Sequence, residues 1–410
     1  MTDVYHRSAL ARQMAEQLLK PKVLDRPLRS GLFLSGLRRT GKTTFLRKDL
    51  IPVLEQGDWG PGAHGRSAIV IYVDLWSNVS ISPAELILRA VRAKLRELQD
   101  PTSAIWAALK RVVRAEVAVH GFKFNFDLAK LGEEGGATLA EAFTQIVDEA
   151  GTDLVFIVDE VQECLGREDA QALMQALKAA RDAINLRPNT PGYVLFIGTG
   201  SHRSLVQEMT VRRKEAFAGA VNLDYPLLDE GFVAWVRDQM HAQSVTVQPS
   251  AAAAWQAFQD LGHRPEPFLD ALRILTQTVQ LGEDTDAMFR AIVWTKRDSL
   301  ADRELTALED LGPLAQRIFS RIATHEGEEA RGIYSSEALE GYTAALGTEV
   351  RTEDVQTTVI ALQHKNLIHR MGHGAYAITD PFVRQVWLER EGANRERIDR
   401  LRPDSSNPQP

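Results

Sequence analysis

The chain has 410 residues, 44% hydrophobic and 25% charged, with a single cysteine and a formal net charge of −7. That length supports two or three domains with cores of their own, and the composition is that of an ordinary globular protein. No apolar run reaches the ~20 residues of a membrane helix, and the start, "MTDVYHRSALARQ", lacks the apolar core of a signal peptide. Cys164, alone, excludes an internal disulfide framework and fits a reducing cytoplasm. A net negative chain has no broad attraction for nucleic acid, although a local basic patch stays open.

In chain order, Arg7–Lys20 reads as a helix, and the short apolar run "GLFLSG" that follows reads as a buried strand. The strand leads into Gly36-x-x-x-x-Gly41-Lys42-Thr43, a complete phosphate-binding loop pattern. Its glycines let successive backbone N–H groups of Gly36, Leu37, Arg38, Arg39, Thr40 and Gly41 turn toward phosphate oxygens. Lys42 is suited to the β- and γ-phosphates, and Thr43 to Mg²⁺ with Thr44 beside it. Arg38 and Arg39 are outside the pattern's needs; they add charge near the phosphates or lie on the solvent side. A helix is expected over Thr43–Leu54, with Pro52 marking a kink or its end and with its positive end toward the anion.

Further on, "AIVIYVDL" (Ala68–Leu75) is a second buried strand, and Ser82–Leu98 opens like a helix with a serine cap and a proline in the first turn. Another helix is expected after Pro101. "GFKFNFDL" (Gly121–Leu128) alternates three phenylalanines with polar residues, the period of a half-exposed strand. A helix (Thr138–Ala150), a strand (Asp153–Glu160), a helix (Asp169–Ile184) and a strand (Tyr193–Ser201) follow, with a last short strand in Ala220–Leu227. Near-continuous apolar strands separated by helices predict an α/β fold, a parallel sheet covered by helices.

Two strand ends carry chemistry. Asp159 at the end of an apolar strand is placed to bind Mg²⁺, and Glu160 to orient the attacking water, because ligands of open parallel sheets lie at that edge. "VLFIGTGS" ends in polar residues of which Thr199 or Ser201 is suited to sensing a γ-phosphate; the bland alternative is an ordinary turn. From Asp229 strand signals stop and helices take over. From Gly312 three helices precede "NLIHRMGHGAYAITD", two short strands around a glycine turn, which together describe a winged helix. Its third helix is charge-balanced, with Arg351 and Lys365 against Glu353 and Asp354, which favours a protein contact over DNA. His364, His369 and His373 near the wing lack zinc spacing. The expected divisions are an ATPase core over 1–228, a helical lid over 229–311, a winged helix over 312–390 and a disordered tail over 391–410.

The ordered set "GLRRTGKT", "LVFIVDE", "LFIGTGS", "GHRPEPF" and "AYAITDPFVRQVW" resembles the AAA+/STAND-type P-loop ATPases, nearest the archaeal-type ATPase group, over roughly Arg7 to Leu388. The resemblance implies binding of ATP or ADP with Mg²⁺, a sensor strand between the loop strand and the Asp-Glu strand, and nucleotide-linked domain movement. It also implies a lid turn that touches adenine through Pro265, with Arg264 as an alternative phosphate sensor. Relatives often carry Gly-Arg after the sensor strand; here Gly219 precedes Ala220. Arg212 or Arg213 in "VRRKEAF", on a helix near the active edge, would then be the charge offered to a neighbouring subunit, or else plain surface charge. The expected function is cytoplasmic, Mg²⁺-dependent ATP hydrolysis driving conformational change or self-association. The expected role is a regulatory or defence switch with a protein partner or a separate effector chain. DNA association through the winged helix is the alternative, and a scaffold that barely hydrolyses ATP is disfavoured by Glu160.

Overall fold

The computed structural model describes residues 4–57, 67–103, 106, 121–278, 284–327 and 329–401. It divides into two compact units, Met1–Pro226 and Leu227–Pro410; the expected lid and winged helix thus fall in one unit.

The first unit is built on a five-stranded parallel sheet: β1 (Leu32–Ser35), β2 (Ala68–Asp74), β3 (Asp153–Asp159), β4 (Val194–Gly200) and β5 (Val221–Asp224), in the order β2-β3-β4-β1-β5. The strand that ends in Thr199 and Gly200 therefore lies between the loop strand and the Asp-Glu strand. Successive residues of a strand face opposite sides, and the sheet shows it. Phe33, Ile69, Ile71, Leu154, Phe156 and Phe196 pack against α4 (Pro83–Gln99), α5 (Leu139–Ala150) and α6 (Glu168–Asn185). Leu32, Leu34, Val70, Val155, Ile157 and Ile197 belong to a second cluster with α1 (Ser8–Leu19) and the helix after the phosphate loop. Both faces being covered explains why the strands read as continuous apolar runs. Ser82 caps α4 by accepting the Glu85 N–H at 3.2 Å, with Pro83 at the first turn.

Two local expectations change. The helix after the loop starts at Lys42 and continues through Pro52: α2 (Lys42–Phe45) passes into a π-helical turn (Leu46–Leu50) and then α3 (Ile51–Gln56). In the π turn the Ile51 N–H reaches back five residues to the Leu46 carbonyl, and Pro52, which has no N–H to donate, follows directly. The phenylalanine segment is not a strand. Phe122, Phe124 and Phe126 face the core in sequence, with ring centroids 5.9 and 5.4 Å apart, while Lys123, Asn125 and Asp127 face solvent. Alternation survives without a ladder, because the Gln145 side chain donates to the Lys123 carbonyl at 2.7 Å in place of a neighbouring strand. The helix expected after Pro101 lies outside the described residues.

The second unit starts with α8 (Glu230–Ala242), α9 (Ala251–Asp260), α10 (Pro265–Thr278) and α11 (Thr285–Glu309), where Phe232, Phe258, Phe268 and Phe289 form a connected aromatic core. Then come α12 (Pro313–Ala323), α13 (Ser336–Leu346) and α14 (Thr352–His364). The antiparallel hairpin β6 (Ile368–Gly372) and β7 (Ala375–Ile378) follows, turning through Gly374 at φ 68°. Ala301, Leu305 and Leu308 of α11 belong to the core of this last part, which is why the two expected domains make one unit. The final helix, α15 (Pro381–Leu401), runs past Glu391, where disorder was expected to begin. The stretch 391–401 holds two Glu and three Arg, good helix formers, and continues the helix before it. No helix among the described residues is long and apolar enough to cross a membrane.

Candidate functional site

The phosphate loop follows β1 and closes on its own atoms. Gly41 is left-handed at φ 86°, as is Arg39 at φ 62°, and a Cβ on Gly36 would come within 3.0 Å of the Tyr225 Cβ. Thr40 Oγ1 donates to the Leu37 carbonyl at 2.8 Å. Lys42, 7% exposed, donates through Nζ to the carbonyls of Gly36 at 2.8 Å and Leu37 at 2.7 Å. Burial pushes its amine down to about 8, against the opposing pull of Glu160 and Asp159 and with help from Arg38. An anion in the loop relieves that cost, since it restores a charge partner in place of the lost water.

Asp159, 1% exposed, ends β3 beside Asp74 of β2. Its Oδ2 accepts from Thr43 Oγ1 at 2.7 Å and from the Tyr72 hydroxyl at 3.2 Å, and its Oδ1 accepts from the Thr199 hydroxyl and from the Glu160 N–H at 3.2 Å. Tyr72 was not singled out by the sequence; its one visible signal is a polar-tipped residue inside the aliphatic run of β2. Burial, then the nearby Asp159, pushes its phenol well up, so it stays a donor. Thr43 and Asp159 offer a hydroxyl and a carboxylate at adjoining positions, the hard oxygen donors Mg²⁺ takes. The residues present therefore fit that ion.

Glu160 is left-handed at φ 57°, ψ 44° and 7% exposed, a conformation that costs energy in a non-glycine residue and gathers at functional sites. Its Oε2 accepts from Gln162 Nε2 at 2.6 Å, from Ser201 Oγ at 2.8 Å and from Ser201 N–H at 3.1 Å. The structure thus brings Lys42, Thr43, Asp159, Glu160, Thr199 and Ser201 to one edge. Thr199 and Ser201, expected as phosphate sensors, bond to the two acids. Thr44 and Arg39 are exposed. The guanidinium of Arg38 lies 5.1 Å from the Trp76 ring, whose indole donates to Glu163 at 3.1 Å.

Arg212 and Arg213 are elsewhere. The helix α7 (Arg203–Val211) leaves the phosphate edge and ends before them; Arg212 is ion-paired with Glu208 one turn back, and Arg213 is exposed. The chain then packs Phe217 against Gly31 and bonds the Val221 N–H to the Gly31 carbonyl at 3.0 Å. Gly31 precedes β1, so this segment lies at the edge where strands begin. It is not a helix, and it is not at the active edge as expected, because α7 runs antiparallel to the strands and carries its end away. Pro265 opens α10 in the second unit. Arg264 before it is buried and ion-paired with Asp380. His369 is 3% exposed, with Nε2 3.0 Å from the Met371 sulfur. No three His, Cys, Asp or Glu among the described residues come together to hold a metal.

No family model matches the chain, and no curated protein matches it. Solved structures do. A Walker-type ATPase of Pyrococcus abyssi is 19% identical, with 94% of this chain and 96% of that one covered and a TM-score of 0.56. The ADP form of the ORC2 protein of Aeropyrum pernix is 14% identical, with 97% and 96% covered and a TM-score of 0.52. At these identities the likeness is one of fold, and it spans nearly the whole chain: the α/β fold of P-loop ATPases followed by a mostly helical second part.

Proposed function

We infer that this chain, which has the fold of a Walker-type ATPase, binds ATP with Mg²⁺ and hydrolyses it to drive conformational change or assembly. The observation that carries the reading is the meeting of Lys42, Thr43, Asp159 and Glu160 at the ends of β1 and β3. Lys42 exchanges its two carbonyl partners for phosphate oxygens, and the loop's N–H groups hold the rest of the anion. Mg²⁺, when held by Thr43 and Asp159, offsets charge on the β- and γ-phosphates. Glu160 accepts a hydrogen bond from the attacking water and aligns it with the γ-phosphorus. The water adds to phosphorus as the bond to the β–γ bridging oxygen breaks; ADP leaves and the proton passes to phosphate or Glu160. Catalysis is thus mostly positioning and charge stabilisation.

The output we favour is a regulatory or defence switch acting in the cytoplasm through a protein partner or effector chain. The exposed side of α14 supports a protein contact over DNA, with Glu353, Gln356, Thr357, Ile360 and His364 outward and no cluster of basic residues. Because Arg212 and Arg213 lie at the opposite strand edge from their own loop, any help they give to hydrolysis comes from one chain to the next.

One titration tests both halves of this reading. ATP turnover should need Mg²⁺ and vanish with EDTA, and the rate per chain should rise with protein concentration. Replacing Arg212 and Arg213 together by alanine should lower that rate about a hundredfold or more with ATP affinity retained. Concentration-independent turnover, unchanged in the double variant, leaves the arginines as surface charge and removes assembly from the account.

A further inference from the structure

Gln162 is absent from the reaction described above, yet it makes the shortest contact to its central acid. It sits in the 3-10 turn Val161–Cys164 directly after Glu160, is 5% exposed, and donates through Nε2 to Glu160 Oε2 at 2.6 Å. Its orientation is fixed, since the reversed amide would press a carbonyl oxygen onto the carboxylate. Space for the amide is cleared on the neighbouring strand: a Cβ on Gly200 would come 2.2 Å from Gln162 Oε1 and 2.5 Å from Val206. Ser201 adds its hydroxyl at 2.8 Å and its N–H at 3.1 Å to the same oxygen. Three donors thus converge on Oε2 and none of them on Oε1.

The geometry points to Gln162, assisted by Ser201, as the positioning residue of the hydrolytic step: together they fix Oε2 so that Oε1 of Glu160 faces the water. The inference rests on the assignment of Glu160 to that water. A carboxylate on a left-handed residue beside the strand end would otherwise turn among several rotamers, and a misaligned acceptor loses the benefit of proximity. It also gives Ser201 a task other than sensing phosphate: it holds the acid.

The test is single-turnover hydrolysis by the full chain at saturating Mg²⁺ and ATP, with rates counted per bound nucleotide and ATP affinity measured on the same sample. Gln162→Met keeps the length and loses the N–H. It should slow hydrolysis about tenfold or more, with the ATP dissociation constant within about threefold of wild type. Ser201→Ala, which keeps the backbone donor, should show the same pattern more weakly. In a Glu160→Gln background, Gln162→Met should change the residual rate less than about twofold, because a residue that acts through Glu160 has nothing left to position. Equal losses in both backgrounds, or faster turnover in Gln162→Met, would overturn the inference. Wild-type hydrolysis by Glu160→Gln alone would instead remove the reading beneath it.

Discussion

The first unit gathers its buried Lys42, Asp159 and Glu160 at one strand edge, where their partners are backbone carbonyls, hydroxyls and an amide. In the second unit, buried Arg264 is bonded to Asp380, and buried Arg297 holds Glu389 with two hydrogen bonds at 2.6 and 2.8 Å. The hydrogen bond from Arg297 holds the Glu389 carboxyl below its usual range. Neutral partners are readily exchanged for phosphate oxygens or a metal ion, whereas a charged partner has to be displaced with its own charge left unpaired. The difference separates buried charge available to a ligand from buried charge that serves the fold. By that criterion Lys42 belongs to the first kind and Arg264 to the second.

Substitution at Lys42 tests this difference most severely. Lys42→Ala should weaken ATP binding about a hundredfold or more, because it removes a buried cation facing the loop, and should leave thermal stability close to wild type or higher, since a buried amine whose charge is disfavoured contributes little to folding. Fluorescent-nucleotide titration with a melting curve reads both; a large loss of stability with ATP affinity intact would place Lys42 with the structural charges.

Arg264→Met should do the reverse. It leaves the half-buried Asp380 without its guanidinium partner and should cost about 3 kcal/mol of the second unit's stability. ATP affinity should stay within a few-fold of wild type. Chemical denaturation followed by the tryptophans of that unit gives the first number. A loss of ATP affinity with stability kept would mean that Arg264 leaves Asp380 to meet phosphate.

Much of this was legible in the chain. The apolar runs ending in Ser35, Asp159 and Gly200 gave the strands, and the Asp-Glu pair and Gly36–Thr43 gave the edge, because buried parallel strands and phosphate loops leave strong local patterns. What escaped depends on who stands beside whom. Tyr72 reaches Asp159 only because β2 pairs with β3 in the register Asp74 to Asp159. Gln162 looks like any polar residue until its turn and Gly200 set it against Glu160. The phenylalanine run has strand periodicity, yet strandhood requires a neighbour to pair with, and Gln145 takes that place. The position of Arg212 and Arg213 follows from the direction and length of α7, and residue pattern alone does not carry them.

The proposed hydrolysis depends above all on Glu160. Wild type and Glu160→Gln should bind ATP with equal affinity, while the single-turnover rate of the variant falls about a hundredfold or more. Binding and hydrolysis lost together would show that Glu160 holds the fold or the nucleotide, and an unchanged rate would show that the water is oriented by another group.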